Sequence, residues 1–313
     1  VQDAAIAGVS DARLLLLTGK GGVGKTTIAA ALAVDAARAG RRPLLIELGH
    51  RASMRSVFDV AEIGFEPRSV GHGVYAMSVD FDLAVTDYMA THVPSRRLAK
   101  AIVGNRVLER LFAAMPAVGE IATLNALHRR LTEMDQGRPR WNPVIVDLDA
   151  TGHALMFLEL RQVVGGLMGA GPMRRLVDEM ADLIADPDHS RLCLVTLPDE
   201  LPVTETLELY ARLSAAKSVT FGPIYVNRVP EPPLSAADLP PLDALAASAD
   251  PDVRDDVAFA RGQARAAERA RVQIERLAAG VDVPLVPLPQ MGFARLSEAQ
   301  LVEIARRCRE GAA

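Results

Sequence analysis

Cysteine is nearly absent from these 313 residues: Cys193 and Cys308 are the only two. That excludes a disulfide framework and any paired-cysteine zinc site within the chain. Cys193 lies in the apolar run Leu192 to Val195 and is expected to be a small buried hydrophobe. Long hydrophobic runs are missing as well. None approaches the ~18 residues of a membrane span, and the N-terminus shows no basic-then-apolar signal. The expectation is a soluble, cytoplasmic protein without stable membrane insertion. Positive charge is not in surplus either: the net charge is −4 with signs interspersed, which leaves no basic stripe for a nucleic acid. Lysine is scarce, since Lys20, Lys25, Lys100 and Lys217 are the only four and every other basic residue is arginine. Two of the four fall in one glycine-rich segment, where a flexible point charge is wanted.

That segment, Gly19-Lys20-Gly21-Gly22-Val23-Gly24-Lys25-Thr26-Thr27, fits the P-loop pattern and is a deviant Walker A loop, with the extra lysine at Lys20. The run Leu14 to Leu17 before it reads as a buried strand, and Ile28 to Ala33 after it opens an alanine-rich helix. Glycines without Cβ let backbone N–H groups of Gly21 through Thr27 close around phosphate oxygens at a helix N-terminus. Lys25 then meets the β and γ phosphates, and the Thr26 hydroxyl suits Mg²⁺, a hard cation that prefers oxygen. ATP or ADP with Mg²⁺ is the implied ligand.

Half of the residues are hydrophobic, enough for a large core. Short apolar segments alternate with helical stretches: Leu14 to Thr18, Pro43 to Glu47, Val74 to Val79, Val144 to Leu148, Leu192 to Leu197, Ile224 to Asn227 and Val283 to Leu288. The alternation predicts an α/β fold, a mostly parallel sheet of about seven strands flanked by helices. Its ligand would lie beyond the carboxyl ends of the strands. One P-loop domain over residues 1–313 is expected, with helical elaborations at about 82–134 and 154–190. The first has a break at Met115-Pro116, and the second has an apolar, methionine-bearing middle from Val163 to Met173. They pack as a lid, or form a helical subdomain offering a protein client an apolar face. Glu231 to Pro251 reads as a loop before a charged helix from Asp252 to Ala279, and Ser297 to Arg309 as a closing helix. No internal repeat is evident, so one nucleotide site per chain is expected.

A P-loop requires an acidic partner at another strand end to support Mg²⁺. Val144-Ile145-Val146-Asp147 supplies it, and the segment Asp149-Ala150-Thr151-Gly152-His153 that follows reads as a switch segment, its glycine giving the backbone room to rearrange.

Three segments together carry a resemblance: the loop with Lys20, the Asp147-to-His153 segment, and the run Val195 to Thr206 followed by Val226-Asn227-Arg228. Together they resemble the anion-transporting, or ArsA-type, ATPase family, which includes the arsenite-pump ATPase and the cytosolic ATPase that targets tail-anchored membrane proteins. The look of the chain is nearest to the paired actinobacterial ArsA-like ATPases, and the resemblance runs from Leu14 to about Leu301. It implies a dimer with nucleotide at the interface, and Lys20 of one subunit reaching the phosphates held by the other. It further implies that Asn227, with Arg228 beside it, contacts the adenine, and that the loop around Pro289 lines the base pocket. The catalytic set is then Lys20, Lys25, Glu47 and Asp147, with Thr26 and Asp147 at the metal.

The chain also departs from that family. Where relatives place a water-positioning aspartate after the second strand, this sequence has Glu47-Leu48-Gly49, so Gly49 takes its place and intrinsic hydrolysis is expected to be slow. Glu47 is the available substitute, as a weak water-positioning residue or a metal-shell carboxylate, since side chains two apart on a strand share a face, displaced by roughly 6–7 Å. Otherwise the chain relies on a paralogue that keeps the aspartate. Two functions follow: a homodimeric ATPase driving a client, or a nucleotide-binding regulatory module that is one half of a heterodimer. Arsenite transport is not expected, because the tandem nucleotide domains and metal-binding cysteines of the pump are absent. A positioning switch acting on DNA or membrane lacks a basic surface here.

Overall fold

The computed structural model describes residues 9–49, 53–92, 118–148, 171–231, 250–292 and 296–310, together with 158, 159, 161, 240, 245 and 246. Among them a parallel sheet is built from β1 (Leu14–Thr18), β2 (Leu44–Leu48), β4 (Val74–Val79), β7 (Val144–Asp147), β8 (Ser190–Thr196), β9 (Phe221–Val229) and β10 (Leu285–Pro289), extended by one antiparallel strand, β3 (Arg68–Gly71). Their order is β10-β9-β8-β1-β7-β2-β4-β3. The helices are α1 (Lys25–Arg38), α2 (Ser53–Phe58), α3 (Phe81–His92), α4 (Val118–Thr132), α5 (Pro172–Ala185), α6 (Glu200–Ala216), α7 (Pro251–Ala279) and α8 (Glu298–Glu310).

The leucine run of β1 explains its central place between β7 and β8. A strand with helices on both faces needs apolar side chains on both, so it reads as a continuous hydrophobic run. Leu15 and Leu17 join the apolar cluster formed with α1, α2 and α8, while Leu14 and Leu16 join the one formed with α4, α5 and α6. The small side chains Ala29, Ala30, Ala31 and Ala33 of α1 are fully buried, which lets that helix lie close to the sheet. At its other end α8 starts with a capping box, in which Ser297 N–H donates to Gln300 Oε1 at 2.7 Å and Gln300 N–H to Ser297 Oγ at 3.4 Å.

The parallel sheet and its central P-loop strand match the sequence expectation, but the sheet has eight strands rather than about seven. The additional strand, β3, is a short exposed edge returning through a turn at Gly71-His72-Gly73. The helical stretch expected to reach Met134 stops at Thr132, because Met134–Asp135 (β5) and Arg138–Pro139 (β6) form a two-stranded hairpin. Helix α5 buries Leu176, Val177, Met180 and Ile184 in the core. Within the described residues, the part of this stretch from Pro172 onward is therefore a helix packed into the core. The Met115-Pro116 break, the 162–170 segment and the 232–239 loop lie outside the described residues. No helix among the described residues is long and apolar enough to cross a membrane.

At the β10 edge, Pro287 and Pro289 occupy two positions of a five-residue strand. Pro289 was expected in the loop after the last strand. It is instead the final residue of β10, paired with Val229 of β9 and buried.

Candidate functional site

Parallel strands present their carboxyl ends along one edge, and there β1 ends in Thr18 and leads into the glycine loop. The loop is docked by close approach. A Cβ on Gly19 would lie 2.0 Å from the Val195 carbonyl of β8, so only glycine lets the chain pass. Gly24 has φ +101°, and a Cβ there would lie 2.3 Å from the Asn227 amide nitrogen. That amide, Nδ2, donates to the Val23 carbonyl at 2.8 Å, tying the end of β9 to the loop. Gly24 precedes the first turn of α1 and supplies no side-chain cap. The first backbone N–H groups of a helix lack intrahelical partners and favour an anion.

Lys25 is buried, and its Nζ donates to the carbonyls of Gly19 at 3.0 Å and Lys20 at 3.1 Å. Its ammonium spans the turn that the phosphate would occupy. Thr26 Oγ1 donates to Asp147 Oδ2 at 2.5 Å, joining the first turn of α1 to the end of β7.

The strand register brings in the second carboxylate. Leu17, Asp147 and Glu47 are level across β1, β7 and β2. Residues level in a parallel sheet share a face, and Leu17 packs on the α1 side. Asp147 and Glu47 therefore both project toward α1, and both are buried. Glu47 Oε1 accepts from the N–H groups of Ser53 at 2.9 Å and Met54 at 3.4 Å, at the start of α2. Burial foremost, and then the neighbouring Asp147 charge, push the Glu47 carboxyl up from its usual 4.5 to about 7 against the pull of those N–H groups. Gly49 follows at φ +91°, its N–H donating to the Val79 carbonyl at 3.2 Å.

These groups enclose a cavity of about 200 Å³ lined by Gly22, Gly24, Lys25, Thr26, Glu47 and Asp147, among others. Thr27 joins the wall, and Val23 beneath it is buried. Gly21 is exposed on the loop crest. The expected site residues Lys25, Thr26, Glu47, Asp147 and the loop glycines are thus brought together, and Asn227 stands beside them.

Arg228 and Pro289 do not line the cavity. Arg228 is exposed with φ +57°, its N–H capped by Asn227 Oδ1 at 2.9 Å, and Pro289 is held in β10 by strand pairing. Lys20 points to α6, where its Nζ meets Glu205 Oε1 at 2.8 Å. Residues 50–52 and the switch segment Asp149 to His153 lie outside the described residues. Sequence reasoning missed the Ser53 and Met54 N–H groups, Glu205, and the Val195 carbonyl under Gly19. Glu205 stands in the run Val195 to Thr206, but its contact with Lys20 spans 185 positions.

Comparison with known proteins gives the lineage of this arrangement. The sequence model of the anion-transporting ATPase family matches residues 12–182. The ATPase BagA of Mycobacterium tuberculosis is 30% identical over 226 residues, covering 70% of this chain and 66% of that protein. An arsenical pump-driving ATPase of Escherichia coli is 29% identical over 218 residues, covering 64% of this chain and 37% of its own. A protein of the same description from Acidiphilium multivorum is 29% identical over 217 residues, covering 64% of this chain and 36% of its own. The chain thus spans just under two thirds of the first relative's length and little more than a third of the pump ATPases. The strand-end loop, the level carboxylates and a family match over more than half of the residues agree: this chain belongs to the anion-transporting ATPase family.

Proposed function

We propose that this chain binds ATP with Mg²⁺ in the cavity at the carboxyl edge of the sheet and hydrolyses it slowly to ADP and phosphate. Nucleotide-driven opening and closing of a dimer then acts on a protein partner. The observation that carries the reading is the convergence of Lys25, Thr26 and Asp147 on one cavity at the N-terminus of α1.

In this reading the loop N–H groups and Lys25 hold the β and γ phosphates, with the ammonium moving from the Gly19 and Lys20 carbonyls to phosphate oxygen. Charge-assisted bonds to phosphate are the stronger of the two. The donor set fits Mg²⁺, since a hydroxyl and two carboxylates at one place are all oxygen, and two level carboxylates repel each other without a proton or a cation. Thr26 would ligate the ion, with Asp147 supporting it. Bound there, Mg²⁺ would neutralise charge on the phosphates. Lys20, once freed, would add a cation across the dimer interface, where preorganised charge stabilises the transferring phosphoryl group.

A second reading, a nucleotide-occupancy module paired with a paralogue, is favoured by one specific observation. Gly49 offers no carboxylate, and one oxygen of Glu47, the substitute, is held by the Ser53 and Met54 N–H groups. Steady-state ATP hydrolysis by the purified chain, repeated with Lys25→Ala, separates the two. The first reading expects a slow turnover that the substitution abolishes. Tight nucleotide binding with no turnover above the variant's background would leave only the second.

A further inference from the structure

The loop lysine proposed to serve a neighbouring subunit has a partner at home. Lys20 Nζ and Glu205 Oε1 are 2.8 Å apart, with the two side chains 33% and 31% exposed. Glu205 is set by the packing of α6, whose Val203 and Thr206 are buried on either side of it in sequence. That helix follows β8, the strand on which Gly19 is docked through the Val195 carbonyl. The loop and Glu205 are therefore both attached to β8, the loop by packing on it and Glu205 through the helix that follows it.

A second contact acts on the same residue. Lys25 Nζ donates to the Lys20 carbonyl at 3.1 Å and to Gly19 at 3.0 Å, strapping the backbone that carries the Lys20 side chain. Polyphosphate competes for that ammonium, and when the ammonium shifts the strap is lost. Among the described residues, the partly exposed ion pair is then what holds Lys20, and such pairs contribute little.

We propose that Glu205 is a positioning residue for Lys20: it keeps the loop lysine within its own chain until nucleotide draws Lys25 away, and so makes cross-subunit reach conditional on occupancy. The second half of this statement rests on the nucleotide reading above, whereas the first half stands on the ion pair alone.

The test labels the full chain with an amine-acetylating ester and reads Lys20 modification by mass spectrometry, relative to the exposed Lys217. Glu205→Gln is expected to raise Lys20 labelling about two- to five-fold, the range a partly exposed pair supports, and Glu205→Asp to fall between. ADP without magnesium is expected to raise labelling in the wild type and to add little in Glu205→Gln. Equal labelling of wild type and Glu205→Gln overturns the proposal, and so does an ADP effect of the same size in both. Calorimetry run in parallel keeps the two ideas apart. If ADP does not bind, the nucleotide reading fails, while the wild-type to Glu205→Gln ratio still reports whether Glu205 holds the lysine.

Discussion

Glu47 supplies a test that needs only the purified chain. Its carboxyl sits level with Asp147, buried, with its proton affinity raised from 4.5 to about 7. The folded chain therefore binds this proton more tightly than the unfolded chain does. Stability from the group is fully present below pH 4.5 and is lost as pH rises through about 7. The span corresponds to about 3 kcal/mol at most, and between pH 5 and pH 8 to about 2 to 3 kcal/mol. Glu47→Gln removes the titration but keeps a carbonyl that accepts from Ser53 and Met54. Urea denaturation of both proteins in chelator at pH 5 and pH 8 is the assay. The stability difference, variant minus wild type, is expected to grow by about 2 to 3 kcal/mol at the higher pH, because groups common to both proteins cancel. A difference that is the same at the two pH values would refute the argument that the carboxylates are frustrated. With magnesium and nucleotide present the growth is expected to shrink, since a cation then does what the proton did.

Three further outcomes are expected. Gly24→Ala strains a backbone at φ +101° and drives a methyl into the Asn227 amide, so a loss of about 1 to 3 kcal/mol is expected in a thermal melt, together with weaker ADP binding. Asn227→Ala removes the bond to the Val23 carbonyl and is expected to weaken ADP and GDP together by about five-fold, the value of one neutral hydrogen bond. Selective loss of ADP would assign the amide to the base instead. Burial pushes the Cys193 thiol up to about 12, and Cys308 shifts in the same direction. Both are expected to resist iodoacetamide at pH 8 in the folded protein and to react in denaturant, read by intact mass.

The central part of the fold was legible because it is written locally. The leucine run, the glycine turn and the alanine-rich helix are contiguous, and each restricts the backbone by its own residue type. Strand β3 was not, because Arg68 to Gly71 buries only Val70 and leaves no apolar pattern to read. The β5–β6 hairpin is exposed on both strands and equally silent. At the site, the loop, Asp147 and Glu47 could each be named from residue type and strand position. That Glu47 and Asp147 stand level is a matter of register between β2 and β7, which no local pattern carries. The tie of Lys20 to Glu205 likewise depends on how α6 leaves β8. The last strand runs one residue further than expected, to Pro289, because an edge strand tolerates proline where its N–H would face outward.

The prolines of β10 bear on how copies of this chain can meet. A strand at a sheet margin invites another chain to hydrogen-bond alongside it, and Pro287 and Pro289 have no N–H to offer such a visitor. Continuous sheet growth from molecule to molecule is thereby discouraged on that flank. Any contact between copies on that flank would have to be made by side chains rather than by strand pairing.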